Sequence, residues 1–281
     1  MKRLLTITSL LLLLTACSTK MSYHFMDWAI EWGLEDYVSL NDQQDDQFDQ
    51  LLTGFIKWHK TSELPKYAAD LRGFRQHISD NNFSPDYWLQ FTDKLRDHWY
   101  NIFSQCFEQA WPLVQSLSDE QVTQINDKLT KEQKELDEEY AGKSHEALIK
   151  QADQRLEDTL DDWLGSVTKQ QKQLVHQYNS EREFTTDMWL EYRHEWYRQF
   201  KQTLVERDNT PQLKTQLKML LTAPQQLRSQ DYQQKLQQNT YKFGEWLVAL
   251  QPTLTAKQQR HLLNKLDELI EDLDELAAEG D

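Results

Sequence analysis

Apolar residues recur at intervals of three and four positions along most of this chain, with polar and charged residues between them. The clearest example lies near the carboxyl end, where acidic residues occupy the face opposite an apolar stripe. This stripe consists of Leu262, Leu263, Leu266, Leu269, Ile270 and Leu273. The sequence lacks runs of alternating β-branched residues, which would indicate strands. The pattern therefore predicts an all-α protein, an elongated bundle of amphipathic helices.

A short phrase recurs at predicted helix starts: an aliphatic residue, then Ser, Thr or Asn, two variable residues and Gln. It spans residues 40–44, 117–121, 129–133, 167–171, 221–225 and 254–258. Its chemistry is that of a capping box, in which the first polar side chain accepts a hydrogen bond from the backbone amide of the Gln. The Gln side chain in turn accepts from the amide of the capping residue. The phrase therefore predicts helix starts.

These starts, together with Pro and Gly positions, divide the chain into ten helices. They are predicted over 41–60, 63–80, 85–116, 119–141, 144–165, 169–180, 185–208, 211–220, 224–250 and 255–277. Ser84-Pro85 and Thr210-Pro211 each place a capping residue before a proline at the first helical position. Residues 41–281 thus form the predicted helical body.

The amino terminus has a different character. Lys2 and Arg3 precede an apolar run that ends in Leu14-Thr15-Ala16-Cys17. This order resembles the lipobox of bacterial lipoprotein signal peptides, and the run is too short to span a membrane. The resemblance implies that residues 1–16 are cleaved and that Cys17 carries a diacylglycerol and an N-acyl chain. Residues 17–40 then form a lipidated, aromatic amino-terminal segment.

Charge and cysteine content narrow the function classes. Cleavage before Cys17 would remove two basic residues and no acid, which leaves 29 basic and 46 acidic side chains and a net charge of −17. Such a body is repelled by phosphate backbones, so we expect no nucleic-acid partner. Because Cys17 is expected to carry lipid, Cys106 has no disulfide partner, and its apolar neighbours predict a buried, inert thiol. With 7 glycines, the chain has little material for phosphate-binding loops.

Two resemblances to known families add to this picture. The Leu-Thr-x-x-Gln phrase is similar to the signature of the Spy and CpxP periplasmic proteins, which are small helical cradles with a basic concave surface, unlike this acidic chain. The segment Trp58 to Ala68, with the pattern Trp-His-x-x-x-Glu-Leu-Pro-x-Tyr-Ala, looks like that of an uncharacterised family of proteobacterial lipoproteins with a domain of unknown function. That resemblance implies a helical, lipid-anchored protein and transfers no activity. Ser18 after the cysteine implies export to the outer membrane, with the body facing the periplasm.

Two pairs of residues have spacings that are typical of catalytic or metal-binding sites. His59 and Glu63 stand four residues apart, as a base and its orienting acid would, and they also suit structural hydrogen bonding at a helix junction. Glu191 and His194 have the Glu-x-x-His spacing of di-iron bundles, but the chain holds no second such pair. We therefore expect no metal, no cofactor beyond the lipid, and no enzymatic activity.

Aromatic residues suggest binding instead. The segment from Trp88 to Trp111 carries seven of them, which form either a core stripe or an apolar groove for extended polypeptide. The candidate binding residues are Trp58, His59, Glu63, Tyr67, Trp99 and Trp196. We expect a lipid-anchored protein that binds an envelope protein, in assembly or chaperone-like holding. The alternatives are an envelope hydrolase that uses His59 and Glu63, and a passive structural spacer.

Overall fold

The computed structural model describes residues 19–206 and 210–280, so Cys17 lies outside the described residues. Within these ranges the chain forms α-helices and no strand, which confirms the all-α prediction. The helices are α1 (Thr19–His24), α2 (Met26–Glu35), α3 (Asp42–Trp58), α4 (Leu64–Ser79), α5 (Pro85–Gln115), α6 (Asp119–Tyr140), α7 (His145–Leu164), α8 (Lys169–Glu181), α9 (Thr186–Val205), α10 (Thr210–Thr222), α11 (Gln230–Leu250) and α12 (Ala256–Ala278). None of the helices described is long and apolar enough to cross a bilayer.

Short segments of other helix types join some of these elements. A π-helix, His59–Glu63, links α3 to α4, and 3₁₀ turns at Pro224–Leu227 and Gln251–Thr253 precede α11 and α12. The predicted helix over 224–250 is therefore wrong at its start, because Pro224 opens a 3₁₀ turn and α11 begins at Gln230, capped by Ser229. The sequence patterns also do not predict α1 and α2, which cover residues 19–24 and 26–35.

The core consists of three apolar clusters rather than one. The first joins α4 to α12, and includes Leu64, Ala68 and Leu276. A second joins α7, α8 and α11 around Val175 and Trp246. The third surrounds Val38 and Leu204 and brings α6 and α9 onto the loop before α3. Long helices thus pack mainly in pairs, α12 against α4 and α11 against α5, as thin amphipathic helices do.

Four of the six recurring phrases begin helices with complete capping boxes. Asn41, Ser118, Thr168 and Thr255 cap α3, α6, α8 and α12. The prediction that the phrase begins a helix is wrong for the other two phrases. Thr130 lies inside α6, where its hydroxyl bonds the carbonyl of Asn126 in the preceding turn and the helix continues. Thr222 ends α10 rather than starting a helix.

The four boxes meet in two pairs, far apart in sequence. The amides of Gln44 and Gln121 bond each other, with nitrogen to oxygen distances of 3.0 and 2.7 Å. Gln171 and Gln258 do the same, at 3.2 and 2.9 Å. Each amide nitrogen also donates to a carbonyl before its partner's helix, at Ser116, Ser39, Thr253 and Ser166 respectively. In two places, therefore, hydrogen bonds between a pair of capping boxes join the starts of two helices.

Candidate functional site

A large apolar cleft lies where five helices come together. It has a volume of about 380 Å³, within the range of about 300–1,000 Å³ that is typical of ligand sites. Its walls include Leu71 and Phe74 of α4, Trp88, Phe91 and Leu95 of α5, Leu160 and Trp163 of α7, Phe243 and Trp246 of α11, and Leu266 and Leu269 of α12. Leu95 is 46% exposed, so the cleft reaches the surface along α5. We name this feature the apolar cleft.

The apolar cleft offers few hydrogen-bonding groups. Thr159 and Gln251 line it, but Thr159 donates to the carbonyl of Arg155 and Gln251 to that of Ile78. The indole nitrogens of Trp88 and Trp246 are buried, and no acceptor for them occurs among the described residues. An occupant must therefore be apolar over most of the surface that it buries.

The surroundings of the cleft are acidic. The outer surface of α7, which forms one wall of the cleft, carries a shallow depression lined by four carboxylates, those of Glu157, Asp158, Asp161 and Asp162, and by Lys172, which forms an ion pair with Glu157. The cations around the cleft have partners, and one of them, Lys265, lies over the ring of Trp163 and donates to the backbone carbonyl of Asp162. Lys94 donates to Asp70 at 2.6 Å, and Arg75 donates to Asp267 at 2.7 Å. The local field thus favours a cationic occupant over an anionic one.

A second feature, which we name the buried polar cluster, comprises His59, Glu63, Tyr67, Asp70 and His98. The π-helix inserts an extra residue in the turn before α4, an irregularity that often accompanies functional sites. It places His59 and Glu63 inside the fold, where Glu63 has no exposed surface.

His59 and Glu63 do not form the predicted pair, because each has other partners. His59 Nδ1 lies 2.8 Å from the hydroxyl of Tyr23. Glu63 Oε1 accepts hydrogen bonds from Lys66 Nζ at 2.6 Å and from Asn101 Nδ2 at 2.8 Å. The other oxygen, Oε2, has no hydrogen-bond partner among the described residues, and His98 Nδ1 lies 3.8 Å from it. Residues that no local pattern singled out thus complete the surroundings of Glu63.

Asp70 and His98 extend the cluster. His98 Nε2 lies 2.8 Å from Asp70 Oδ2, so its ring stands between two carboxylates, Asp70 and Glu63. Burial raises the pKa of Asp70, but hydrogen bonds from Lys94 and His98 outweigh that effect and hold the pKa below its usual value. This arrangement ties α4 to α5 by charge as well as by packing.

Burial also shifts the pKa values of Tyr67 and His59 in this cluster. It raises the pKa of Tyr67 to about 12, with a further contribution from the charge of Glu63. Burial lowers the pKa of His59 below 6.5, and the charge of Glu63 offsets part of this effect. Both side chains are therefore neutral at pH 7. A neutral His59 has a basic nitrogen, but a fully enclosed Glu63 is poorly placed to assist chemistry on a substrate.

The lowered pKa of His59 predicts a pH dependence of stability. The unfolded chain takes up a proton at this residue near pH 6.5, whereas the folded chain does so only at lower pH. Stability from the neutral ring is complete above pH 6.5 and decreases as the pH falls below it. We expect His59→Gln to lose less stability between pH 7.5 and pH 5.5 than the unchanged chain, as measured by urea unfolding. Equal losses in the two proteins would contradict the assignment.

The remaining predicted site residues lie in different places. Trp58 is partly buried and packs against Phe55. Trp99 is 57% exposed on α5 and meets the edge of Phe103, while Trp196 stacks on Phe200 and donates its indole hydrogen to the carbonyl of Leu220 at 2.8 Å. His59, Glu63 and Tyr67 are brought together in the buried polar cluster, and neither Trp99 nor Trp196 joins them.

The aromatic segment of α5 divides between core and cleft. Trp88 and Phe91, at its start, line the apolar cleft, whereas Phe107 is buried in the packing. Sequence analysis missed the other walls of the cleft, those from α7 and α11. The signal was present as the apolar and aromatic positions of each helix, Trp163 and Trp246 among them, but nothing local indicates that these faces converge.

Neither His194, the candidate metal ligand, nor the free thiol of Cys106 lies in a site that suits metal binding or nucleophilic chemistry. His194 is exposed and lies 2.8 Å from Asp137, on another helix. Among the described residues, no group of three or more His, Cys, Asp and Glu side chains is arranged to hold a metal ion. Cys106 is a half-buried free thiol, and burial raises its pKa, which makes it a poor nucleophile.

The profile of a protein family of unknown function, DUF6279, matches residues 36–233. The chain belongs to this family. The match confirms the expectation of an uncharacterised family, while lipid anchoring and the likeness to Spy and CpxP stay predictions. No curated protein and no solved structure matches the chain.

The matched stretch includes some of the features described above and leaves out others. It contains the buried polar cluster and the box pair of Gln44 and Gln121. It also contains the walls of the apolar cleft from α4, α5 and α7. Most of α11, all of α12 and the helices before residue 36 lie outside it.

Proposed function

We propose that this DUF6279 protein is an outer-membrane lipoprotein, acylated on Cys17, whose periplasmic body binds a partner protein through the apolar cleft. The observation that supports it is the cleft itself, walled by apolar side chains from five helices and open beside the exposed Leu95. A monomeric protein rarely leaves such a surface uncovered unless it binds something there. The role is assembly or holding of an envelope protein, without catalysis.

The occupant that fits best is the apolar face of an amphipathic helix. An extended polypeptide, the occupant expected from the sequence, presents an N–H and a C=O at every residue. The cleft has little to pair with them, since its two polar lining residues are already bonded to the backbone. A helix satisfies its own backbone and presents only side chains. The carboxylates on α7 favour a helix with basic residues on its flanks.

A free acyl chain is a poorer fit because of charge. Fatty acids and phospholipids carry an anionic group that would stand at the mouth of the cleft. Of the cations nearby, Lys94 and Arg75 are paired with Asp70 and Asp267, and Lys265 donates to the backbone carbonyl of Asp162. Recruiting one of them to a ligand would break that bond, and the acids on α7 would repel the ligand's headgroup.

The test is photo-crosslinking in the envelope of the native host, with a photoreactive residue at Leu95. A second version carries Thr159→Trp, which fills the cleft from an exposed helix position and spares the core. We expect a discrete protein adduct at Leu95, and Thr159→Trp to reduce it at least about tenfold, which corresponds to about 1.4 kcal/mol of binding energy.

The matched control is Thr123→Trp. Thr123 is an exposed threonine on α6, and its hydroxyl bonds the carbonyl four residues back, as that of Thr159 does. This variant should leave the adduct unchanged. An adduct with lipid instead of protein would overturn the choice of occupant. A protein adduct whose yield is unchanged by Thr159→Trp would mean that the binding surface lies outside the apolar cleft.

The hydrolase alternative has weaker support. His59 and Glu63 bond different groups, and Glu63 has no surface that a substrate could reach in this conformation. The spacer alternative requires no cleft. The buried polar cluster is better explained as a charged junction that fixes α4 against α5.

A further inference from the structure

A stripe of large apolar side chains stands exposed along α1 and α2. Met21 lies in α1, Phe25 in the turn that joins α1 to α2, and Trp28 and Trp32 four residues apart on one face of α2. Their exposed fractions are 55%, 60%, 56% and 36%, and the two indole rings stack with centroids 6.0 Å apart. Side chains of this size are rarely left in water side by side. We name this feature the aromatic stripe.

The opposite face of α1 is fixed to the body, so the stripe has a defined direction. Lys20 Nζ lies 2.9 Å from Glu275 and 3.1 Å from Glu279, near the carboxyl end of α12. Tyr23 bonds His59 and lies under the ammonium group of Lys60. Because Lys20 and Tyr23 contact the body, Met21 between them points away from it.

We propose that the aromatic stripe seats in the headgroup layer of the bilayer to which the acylated Cys17 anchors the chain. The proposal rests on the lipid anchoring proposed above. Its first support is chain length: Met21 is four residues after Cys17, so even a fully extended segment keeps it within about 14 Å of the lipidated residue. The start of the stripe therefore stays near the membrane surface while the anchor is inserted.

The chemistry of the side chains is the second support. Trp rings are amphipathic and concentrate at the boundary between headgroups and hydrocarbon, and Met and Phe add apolar area there. A stripe parallel to the surface is how an interfacial helix binds. The acyl chains would hold the protein to the membrane, and the stripe would fix which side of the body faces it.

A second copy of the chain is a poorer occupant. From its exposed fractions the stripe presents on the order of 400–500 Å², whereas a stable protein interface needs about 800 Å² from each partner. The membrane sets no such minimum because the acyl chains supply the main affinity.

Charge beside the stripe predicts which lipids it prefers. Asp27, Glu31 and Glu35 lie on α2, and burial, followed by nearby charges that include Asp49 and Asp45 of α3, raises the pKa of Glu31. These acids repel an anionic surface. Unlike a polybasic anchor, the aromatic stripe should therefore bind zwitterionic lipid better than anionic lipid.

The experiment uses the full mature chain with Cys17→Ser, so that binding without acyl chains reports the stripe alone. Flotation with phosphatidylcholine vesicles measures its partition coefficient. We expect Trp28→Ser with Trp32→Ser to lower this coefficient at least about tenfold. Trp99→Ser, which removes an equally exposed Trp on α5, should leave it unchanged. Adding phosphatidylglycerol should weaken binding of the parent chain.

Vesicles with brominated acyl chains give a second readout, since bromine quenches only those Trp rings that enter the bilayer. Trp28→Phe with Trp32→Phe should keep most of the binding and lose most of the quenching, whereas Trp99→Phe should lose neither. Binding that is insensitive to Trp28 and Trp32 would overturn the proposal. So would a concentration-dependent dimer that the same substitutions abolish, because a second copy would then cover the stripe.

Failure of the anchor is separable from failure of the stripe. Mass spectrometry of the protein from its native host reports whether Cys17 carries acyl groups. Their absence would overturn lipid anchoring, and with it the proposal that this anchor seats the stripe. The vesicle data on the Cys17→Ser chain test the stripe's own affinity, so a chain that is acylated but fails to bind through Trp28 and Trp32 refutes the stripe alone.

Discussion

Replacing Gln171 by alanine should lower the free energy of unfolding by about 2–4 kcal/mol. Gln171 has no exposed surface, and its side chain bonds three other residues. It accepts from the backbone amide of Thr168, donates to Gln258 and to the carbonyl of Thr253, and accepts from Gln258 in return. The alanine variant leaves the Gln258 amide buried with fewer partners and the start of α8 without half of its capping box. Urea unfolding monitored by circular dichroism gives the value.

The partner residue tests whether the two boxes act as a unit. Gln258→Ala alone should cost a similar amount, since its amide donates to Gln171 and to the carbonyl of Ser166. The double variant should cost less than the two single losses combined, by about 1–3 kcal/mol, because the second substitution removes a group that the first had left unpaired. Strict additivity would mean that the two glutamines contribute independently.

Gln133→Ala is the matched control. Gln133 belongs to the same sequence phrase, but it lies inside α6 and its amide bonds only Asp137, one turn away. Its loss should change stability by no more than about 0.5 kcal/mol. If Gln133→Ala cost as much as Gln171→Ala, the effect would come from the local phrase and not from the pairing.

Gly244→Ala is the second substitution with a large expected effect. Gly244 lies inside α11, where it contacts the start of α5. A Cβ there would sit 2.8 Å from Cα of Pro85 and 3.2 Å from Cβ of Trp88. Because the nearest atom belongs to the backbone, the helices must move apart. We expect a loss of about 1–3 kcal/mol in the free energy of unfolding, despite the better helix propensity of alanine.

Gly54→Ala should change the stability in the opposite direction. Gly54 also lies inside a long helix, α3, but nothing comes within 4 Å of a Cβ at that position. Here the propensity gain stands alone, and we expect stability to rise by about 0.5–1 kcal/mol. If both variants moved in the same direction, the close approach of α5 and α11 would not be the cause.

The proposed binding features depend on the same helix packing. Trp88 lines the apolar cleft, and Gly244 sets how closely α5 approaches α11 around it. At its far end α12, which supplies another wall of the cleft, holds α1 through Lys20. Spreading α5 from α11 should therefore alter binding in the cleft, whereas the aromatic stripe stays fixed to α12.

Most of the helices follow from the sequence alone, because their causes are local. Apolar spacing of three and four residues, Ser84 before Pro85, and the boxes at Thr168 and Thr255 fixed most helix bounds through contacts within a few residues. The same pattern gave a wrong prediction at Thr130, where the helix continues, and at Thr222, where a helix ends.

Which of these elements meet depends on the tertiary structure. Gln171 bonds Gln258 across 87 positions, and Glu63 bonds Asn101 across 38. The hypothesis that His59 and Glu63 bond each other is wrong for the same reason, since the distant residues Tyr23 and Asn101 bond them instead. The apolar cleft likewise exists only because faces of five separate helices converge. Such contacts depend on the packing of whole helices, and periodicity states which face is apolar without stating what covers it.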